Sequence, residues 1–394
     1  MAMLTRRHES GAVSLFLVVF AMLLITIVTL SFLRIMITDQ QQASLSDLSQ
    51  SAYDSSLAGV EDAKRALIYY QTSCNNDAST CKAQKDIINS TSCNTGLQKV
   101  VPNVKADNDK NPVIDIPVAQ SQSSGDSALN QAYTCVKMKL ETEDYLGTVQ
   151  ANTSKLIPLK STAPFKSVTV EWYMATDLGS NSTALDMIGN SAANKPLYLQ
   201  KNWPLNRPSL MRTQLMQFGS TFKLDSFDAA QSSPLNSNAN TLFLYPTSAG
   251  AIAPITDTVA MNKDVRQVPY GLPQPVKCLS NLSAGGYACT VTITLPQAVG
   301  QTDDTRTAYL RLTPLYNATH YRVTLGDGAL FDGVQPSIDS TGRANLQYRR
   351  VNSRVDLIDT AFPFPEAAVD LSGNLCKDFI VTDQASDFKT NCTP

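Results

Sequence analysis

The chain has 394 residues, of which 43% are hydrophobic, and a formal net charge of −2. That balance excludes attachment to nucleic acid through bulk charge, and a total of two histidines leaves little room for imidazole chemistry or a histidine-rich metal centre. About 320 residues follow the N-terminal region, ample for one large core or two small ones.

Met1 to Ser10 form a short basic leader carrying Arg6 and Arg7. Behind it, Gly11 to Leu33 is uncharged, and at about 1.5 Å per residue its helix reaches across a hydrocarbon core of roughly 30 Å. A transmembrane helix is expected over 12–37. The cationic bias, Arg6 and Arg7 against Arg34, predicts a cytoplasmic N-terminus, with everything past residue 40 outside the cytoplasmic membrane. A removed secretory signal fits less well. Its apolar core normally runs to about 7–15 residues before a small-residue cleavage site, whereas this run exits into Phe32-Leu33-Arg34-Ile35-Met36.

The helix is expected to continue over 38–71. No proline interrupts Thr38 to Tyr70, Gly59 is the only glycine, and Leu45, Leu48, Ala52, Val60, Ala63 and Leu67 recur at helical steps. Such a stripe needs a partner surface. With Gly59 it forms the expected seam between helix and head.

A basic leader ending in Gly11, an apolar segment from Ala12 and an amphipathic continuation resemble type IV pilins and pseudopilins. Ala52-Tyr53-Asp54-Ser55-Ser56-Leu57-Ala58-Gly59-Val60-Glu61-Asp62-Ala63 is similar to the helix segment of PilX-type minor pilins and of the large minor pseudopilin of type II secretion. The resemblance spans about residues 1–70. It implies cleavage by a prepilin peptidase between Gly11 and Ala12, and a filament core built from Phe16, Leu17, Phe20, Leu24 and Ile27. Phe16 stands where most major pilins carry a glutamate, and Leu57 where this family usually has another. The first departure implies a minor or tip component, because the missing carboxylate neutralises a neighbour's amino terminus in an apolar filament core. The implied partners are other pilins or pseudopilins, the inner-membrane assembly platform, the peptidase and the membrane. A surface ligand or DNA is a further option.

Past residue 71 a cysteine-bearing segment is expected to residue 150 and a β-rich head over 151–394. Alternating runs at 168–173, 241–245 and 289–295 read as strands of an antiparallel sheet. Ala308 to Leu312 and His320 to Leu325 read as a hairpin around Tyr316-Asn317, and a last strand is expected from about Ala344 to Leu357. The fold class is therefore α+β: a long N-terminal helix, then a large, mainly antiparallel, sandwich-like β head. The eight cysteines all lie on the outer side, where disulfides persist. Neighbour pairing gives Cys74–Cys81, Cys93–Cys135, Cys278–Cys289 and Cys376–Cys392.

No catalytic set is expected. His8 falls in the leader, so a triad has only His320 to use, and no G-x-S-x-G segment accompanies it. Ser-x-x-Lys at Ser79-Lys82, Ser220-Lys223 and Ser386-Lys389 lacks its companion motifs. Asp327, Asp332 and Asp339 recur through a Gly-containing stretch and are read as turn residues in preference to calcium ligands. Arg349, Arg350 and Arg354 are a candidate nucleic-acid patch. Asp356 and Asp359 stand nearby, which favours cross-strand ion pairs. No metal site or cofactor is expected. The functional expectation is a filament subunit presenting a disulfide-stabilised head at or near the tip. Its rival is an unprocessed, single-pass adhesin or binding module.

Overall fold

A single α-helix, α1, runs unbroken over Gly11–Asn76 in the computed structural model. The described residues are 11–76, 78–101, 116–117, 130–179, 184–187, 202–217, 239–248, 258–260, 274–282, 286–300 and 308–357. Hydroxyls inside the apolar stretch do not break the helix because they donate to their own backbone one turn back. Thr26 bonds the Met22 carbonyl at 2.7 Å, Thr29 that of Ile25 at 2.6 Å and Ser31 that of Ile27 at 2.9 Å. Each polar hydrogen is thus satisfied without water, the condition for a helix in lipid. A short helix α2 follows over Ala78–Ile88. It was not foreseen.

The strands are β1 (Ile116–Pro117), β2 (Gln131–Thr142), β3 (Asp144–Val149), β4 (Lys155–Pro158), β5 (Phe165–Met174), β6 (Leu210–Gln217) and β7 (Ala239–Ser248). They continue with β8 (Thr258–Ala260), β9 (Gln274–Cys278), β10 (Tyr287–Val299), β11 (Ala308–Leu315), β12 (Thr319–Leu325), β13 (Phe331–Ala344) and β14 (Gln347–Arg354). One sheet has the order β1-β2-β13-β14. The other has the order β3-β12-β5-β10-β9-β7-β6-β11-β4, with β8 beside β10. Most pairings are antiparallel; β7 with β9 and β8 with β10 are parallel. The large sheet curls into a barrel-like form in place of the two stacked layers of a sandwich.

By compactness the chain divides into two units. The first comprises Met1–Ala66, Thr91–Lys137 and Asp339–Asn352; the second comprises Leu67–Ser90, Met138–Ile338 and Ser353–Pro394. The second unit owns the main core, in which Trp172, Tyr173, Phe165, Phe331 and Tyr321 are fully enclosed. Tyr145 stacks on Tyr321 there, with ring centroids 6.2 Å apart. Burial pushes the Tyr145, Tyr173 and Tyr321 hydroxyls well above their ordinary range. Lys85 of α2 bridges Asp332 at 2.9 Å and Glu141 at 3.3 Å. Burial lowers its pKa, but the bonds to the two carboxylates outweigh that and leave it raised.

One strand expectation needs correcting, and one strand was not foreseen. β11 and β12 do not form a hairpin: β11 pairs with β6 and β4, and β12 with β5 and β3. The link between them is held elsewhere. Asn317 donates to the Pro204 and Arg207 carbonyls, both at 2.9 Å, and Tyr316 stacks on Trp203 at 4.3 Å. The last strand, expected from about Ala344 to Leu357, is β14 at Gln347–Arg354; the strand that was not foreseen is β13 before it, and Asn345, at a φ of +52°, turns the chain between the two. Asp332 and Asp339 therefore sit in a strand; Asp327 alone keeps a turn role, at a φ of +56° and accepting from the Lys166 amide at 2.9 Å. Among the described residues no group of three His, Cys, Asp or Glu gathers to hold a metal ion.

Cys74–Cys81, Cys93–Cys135 and Cys278–Cys289 are disulfide-bonded. These are the neighbour pairs expected from the sequence. Cys376 and Cys392 lie outside the described residues, as do the leader, Ser220 and Ser386.

Candidate functional site

The candidate surface among the described residues is α1, which changes character along its length. From Leu15 to Ile37 every large apolar side chain is exposed, among them Phe16, Leu17, Phe20, Leu24 and Ile27. Burying one such side chain is worth about 1.5–3 kcal/mol, so the row together makes this segment a candidate membrane span. Among the described residues α1 is the one helix long and apolar enough to cross a membrane. Gly11 and Ala12 open it.

Further along, the same helix docks on the sheet of the first unit. Ala52, Ser55, Ser56, Val60, Ala63 and Ala66 are all buried. The fit is close because the facing residues are small. A β-carbon added at Gly342 of β13 meets the Ala52 carbonyl oxygen and the Ser56 amide, each at 2.2 Å, and one added at Gly59 meets Ser340 Oγ at 2.4 Å. Ser340 Oγ donates to the Ser56 carbonyl at 2.8 Å, joining strand to helix. A charged contact completes the seam: the Tyr133 hydroxyl of β2 donates to Asp62, which also receives Arg65. Burial, then the bond to Asp62, raises the Tyr133 pKa far above the ordinary range.

Below this seam Asn94 locks the loop before β2 onto the strand. Its backbone and side chain together exchange three bonds with Thr134 and Val136, beside the Cys93–Cys135 disulfide.

Most of the expected seam residues are where the periodicity places them: Ala52, Gly59, Val60, Ala63 and Leu67 are buried, and Leu48 is half-buried. Leu45 is the correction, being 51% exposed. Beyond Leu48, the Ser49 hydroxyl receives Arg349 Nε at 2.7 Å. Ser55, Ser56 and Asp62 were missed, since a hydrophobic count passes over polar residues. The usable signal was small side chains recurring at Ala52, Ser56, Gly59 and Ala63.

In the candidate arginine patch Arg350 and Arg354 meet carboxylates, and Arg349 meets a neutral hydroxyl. Arg350 pairs with Asp339, Arg354 with Asp144 at 2.8 Å and Arg349 with Ser49. Arg322 pairs with Glu171, its register partner across β12 and β5, and that bond raises the arginine's pKa. His320 is held against Asp177. Its Nδ1 lies 2.5 Å from Asp177 and its amide donates to the same carboxylate at 2.9 Å. Asp177 also accepts from the Met174 amide at 2.9 Å. Because that carboxylate keeps two backbone donors, His320→Ala is expected to cost about 1 kcal/mol in thermal or denaturant unfolding.

Comparison with known proteins returns no match: no family model, no curated protein and no solved structure is similar to this chain.

Proposed function

We propose that the chain is a minor subunit of a type IV pilus or related secretion filament, assembling through the front of α1 and presenting a large disulfide-stabilised head at or near the tip. One observation carries the reading: a single uninterrupted helix bares a full apolar surface over Leu15 to Ile37 and is built into a folded head behind it. A plain anchor needs only the first part. A rod continuous with the head lets the whole body move as the front exchanges lipid for the helices of other subunits. Phe16, uncharged at the position implied for the major-subunit carboxylate, fits a component present in few copies.

The head serves recognition or capping in this account, and no bond chemistry is required of it. Leu24→Arg is expected to weaken membrane integration by about 3–4 kcal/mol, read as the fraction of chain glycosylated or protease-protected in an insertion assay.

The reading is tested by co-expression with a prepilin peptidase and intact mass of the product. The wild type is expected to lose residues 1–11 and Gly11→Leu to retain them. Retention of the leader by both points to the unprocessed membrane-anchored adhesin or binding module.

A further inference from the structure

The apolar front of α1 carries a single charge. Between Gly11 and Thr38 the sole ionisable side chain is Arg34, which is exposed, with Ile35, Met36 and Ile37 exposed just beyond it. Among the described residues no carboxylate bridges it, although Asp39 lines the same shallow groove together with Ser31, Ile35 and Thr38. The two hydroxyls of that groove have already spent their protons. Ser31 donates to the Ile27 carbonyl and Thr38 to that of Arg34, each at 2.9 Å. The guanidinium is therefore the one set of side-chain donors the groove offers to a ligand.

Position along the helix decides what those donors meet. Charge closes the other end of the uncharged run, through Glu9 in the full chain or through the amino terminus of Ala12 if the leader is removed. From that end to Leu33 the helix is about 33–36 Å long, which matches a hydrocarbon core of roughly 30 Å to within about one turn. Extending the span to Ile37 adds about 6 Å and draws Arg34 into hydrocarbon, where an unpaired cation is costly. The span that stops at Leu33 is the better match. It leaves Arg34 at the edge of the phosphate layer, with Ile35, Met36 and Ile37 outside the hydrocarbon.

We infer that Arg34 is a lipid-phosphate site: its guanidinium binds a phosphodiester of the leaflet on the head's side, and this contact sets the depth of α1 in the bilayer. The planar fork of N–H donors matches two oxygens of one phosphate, and the long apolar stem lets the charge reach outward along the helix. Removing the charge admits Ile35, Met36 and Ile37 to the hydrocarbon, by sliding or by tilting. The boundary then moves about four residues along α1, on the order of 6 Å. The inference rests on the membrane span of the proposed function and is independent of leader cleavage or filament assembly.

The test uses the full chain in nanodiscs of phosphatidylethanolamine and phosphatidylglycerol, one chain per disc, as wild type, Arg34→Lys and Arg34→Leu. A nitroxide on Gln40→Cys reports depth, as its collision with lipid-soluble oxygen relative to a water-soluble nickel chelate. Leu24→Cys and Leu57→Cys give the lipid and water references. Gln40 lies about 9 Å of rise beyond Arg34, so it should read close to Leu57 in the wild type and in Arg34→Lys. In Arg34→Leu its oxygen-to-nickel ratio should be several-fold higher. The phosphate contact itself is read by solid-state NMR, as dephasing of arginine 13Cζ by lipid 31P, since a guanidinium–phosphate pair sets the two nuclei about 4 Å apart. The wild type should show a dephased fraction that Arg34→Lys lacks, beyond any from Arg6 and Arg7, which both forms share. Equal depth of Gln40 in all three forms, or a dephased fraction untouched by Arg34→Lys, overturns the site and, with Leu24 in lipid, leaves the span standing. Leu24 in water overturns both.

Discussion

Gly342→Val is expected to destabilise the first unit by at least about 3 kcal/mol, the upper end of what overpacking a filled interior costs. The new side chain has nowhere to go. Its β-carbon alone falls on the Ala52 carbonyl oxygen and the Ser56 amide, both backbone atoms of α1, at 2.2 Å. Backbone inside a helix cannot turn aside as the end of a side chain can, so helix and strand must separate by more than an ångström. That separation also breaks the Ser340 to Ser56 bond. The expected readout is a lowered unfolding midpoint together with new protease cleavage between Ala52 and Ala66. Gly59→Ala is the graded comparison, since its nearest obstacle is the movable Ser340 hydroxyl. An unchanged midpoint for Gly342→Val removes the close seam from the account.

The second large effect is at Asp62. Tyr133→Phe withdraws a hydroxyl donor from a carboxylate that is 9% exposed, leaving Arg65 to hold it alone, and should cost about 1–3 kcal/mol. The same contact predicts a pH dependence. The fold raises the pKa of Tyr133, through burial first and the bond to Asp62 second, so the native state holds this proton more tightly than the unfolded chain does. The associated stability is complete below about pH 10, the unfolded tyrosine value, and is lost as pH rises above it. At pH 11 the loss is about 1.4 kcal/mol for each such tyrosine, and Tyr145, Tyr173 and Tyr321 share the direction. Unfolding followed from pH 8 to pH 11 should steepen above pH 10 in the wild type and less so in Tyr133→Phe. Equal slopes place the alkaline loss elsewhere.

How far the sequence discloses these features depends on how local their causes are. The helix is legible because its causes are local: no proline, one glycine, and apolar residues at helical steps. The neighbour disulfides are legible for the same reason, since Cys74–Cys81 and Cys278–Cys289 close short loops. Alternation locates β5, β7, β10, β11 and β12. It does not pair them, because partners such as Val291 and Val170 are remote in the chain and many strands present the same alternating face. The hairpin expectation for β11 and β12 failed because each strand pairs with partners distant in the chain, and the bonds of Asn317 to Pro204 and Arg207 likewise leave no mark in local pattern. The break between β13 and β14 had a faint mark in Asn345, since asparagine tolerates a positive φ. Leu45 was assigned to the seam by period alone, whereas the reach of a facing strand decides where packing stops. Asp62 escaped notice because a carboxylate on an apolar stripe makes sense only when Tyr133 is known to face it.

The central claim is that the front of α1 leaves lipid and packs against the helices of other subunits. It is tested most directly by a photo-cross-linking residue at Leu24 in the full chain, expressed with its native filament machinery, followed by shearing of surface fibres. The account predicts that the chain is recovered in the sheared fraction with Leu24 cross-linked to the apolar helix of another subunit. Recovery only in the membrane fraction, at full length and with adducts to lipid alone, contradicts it.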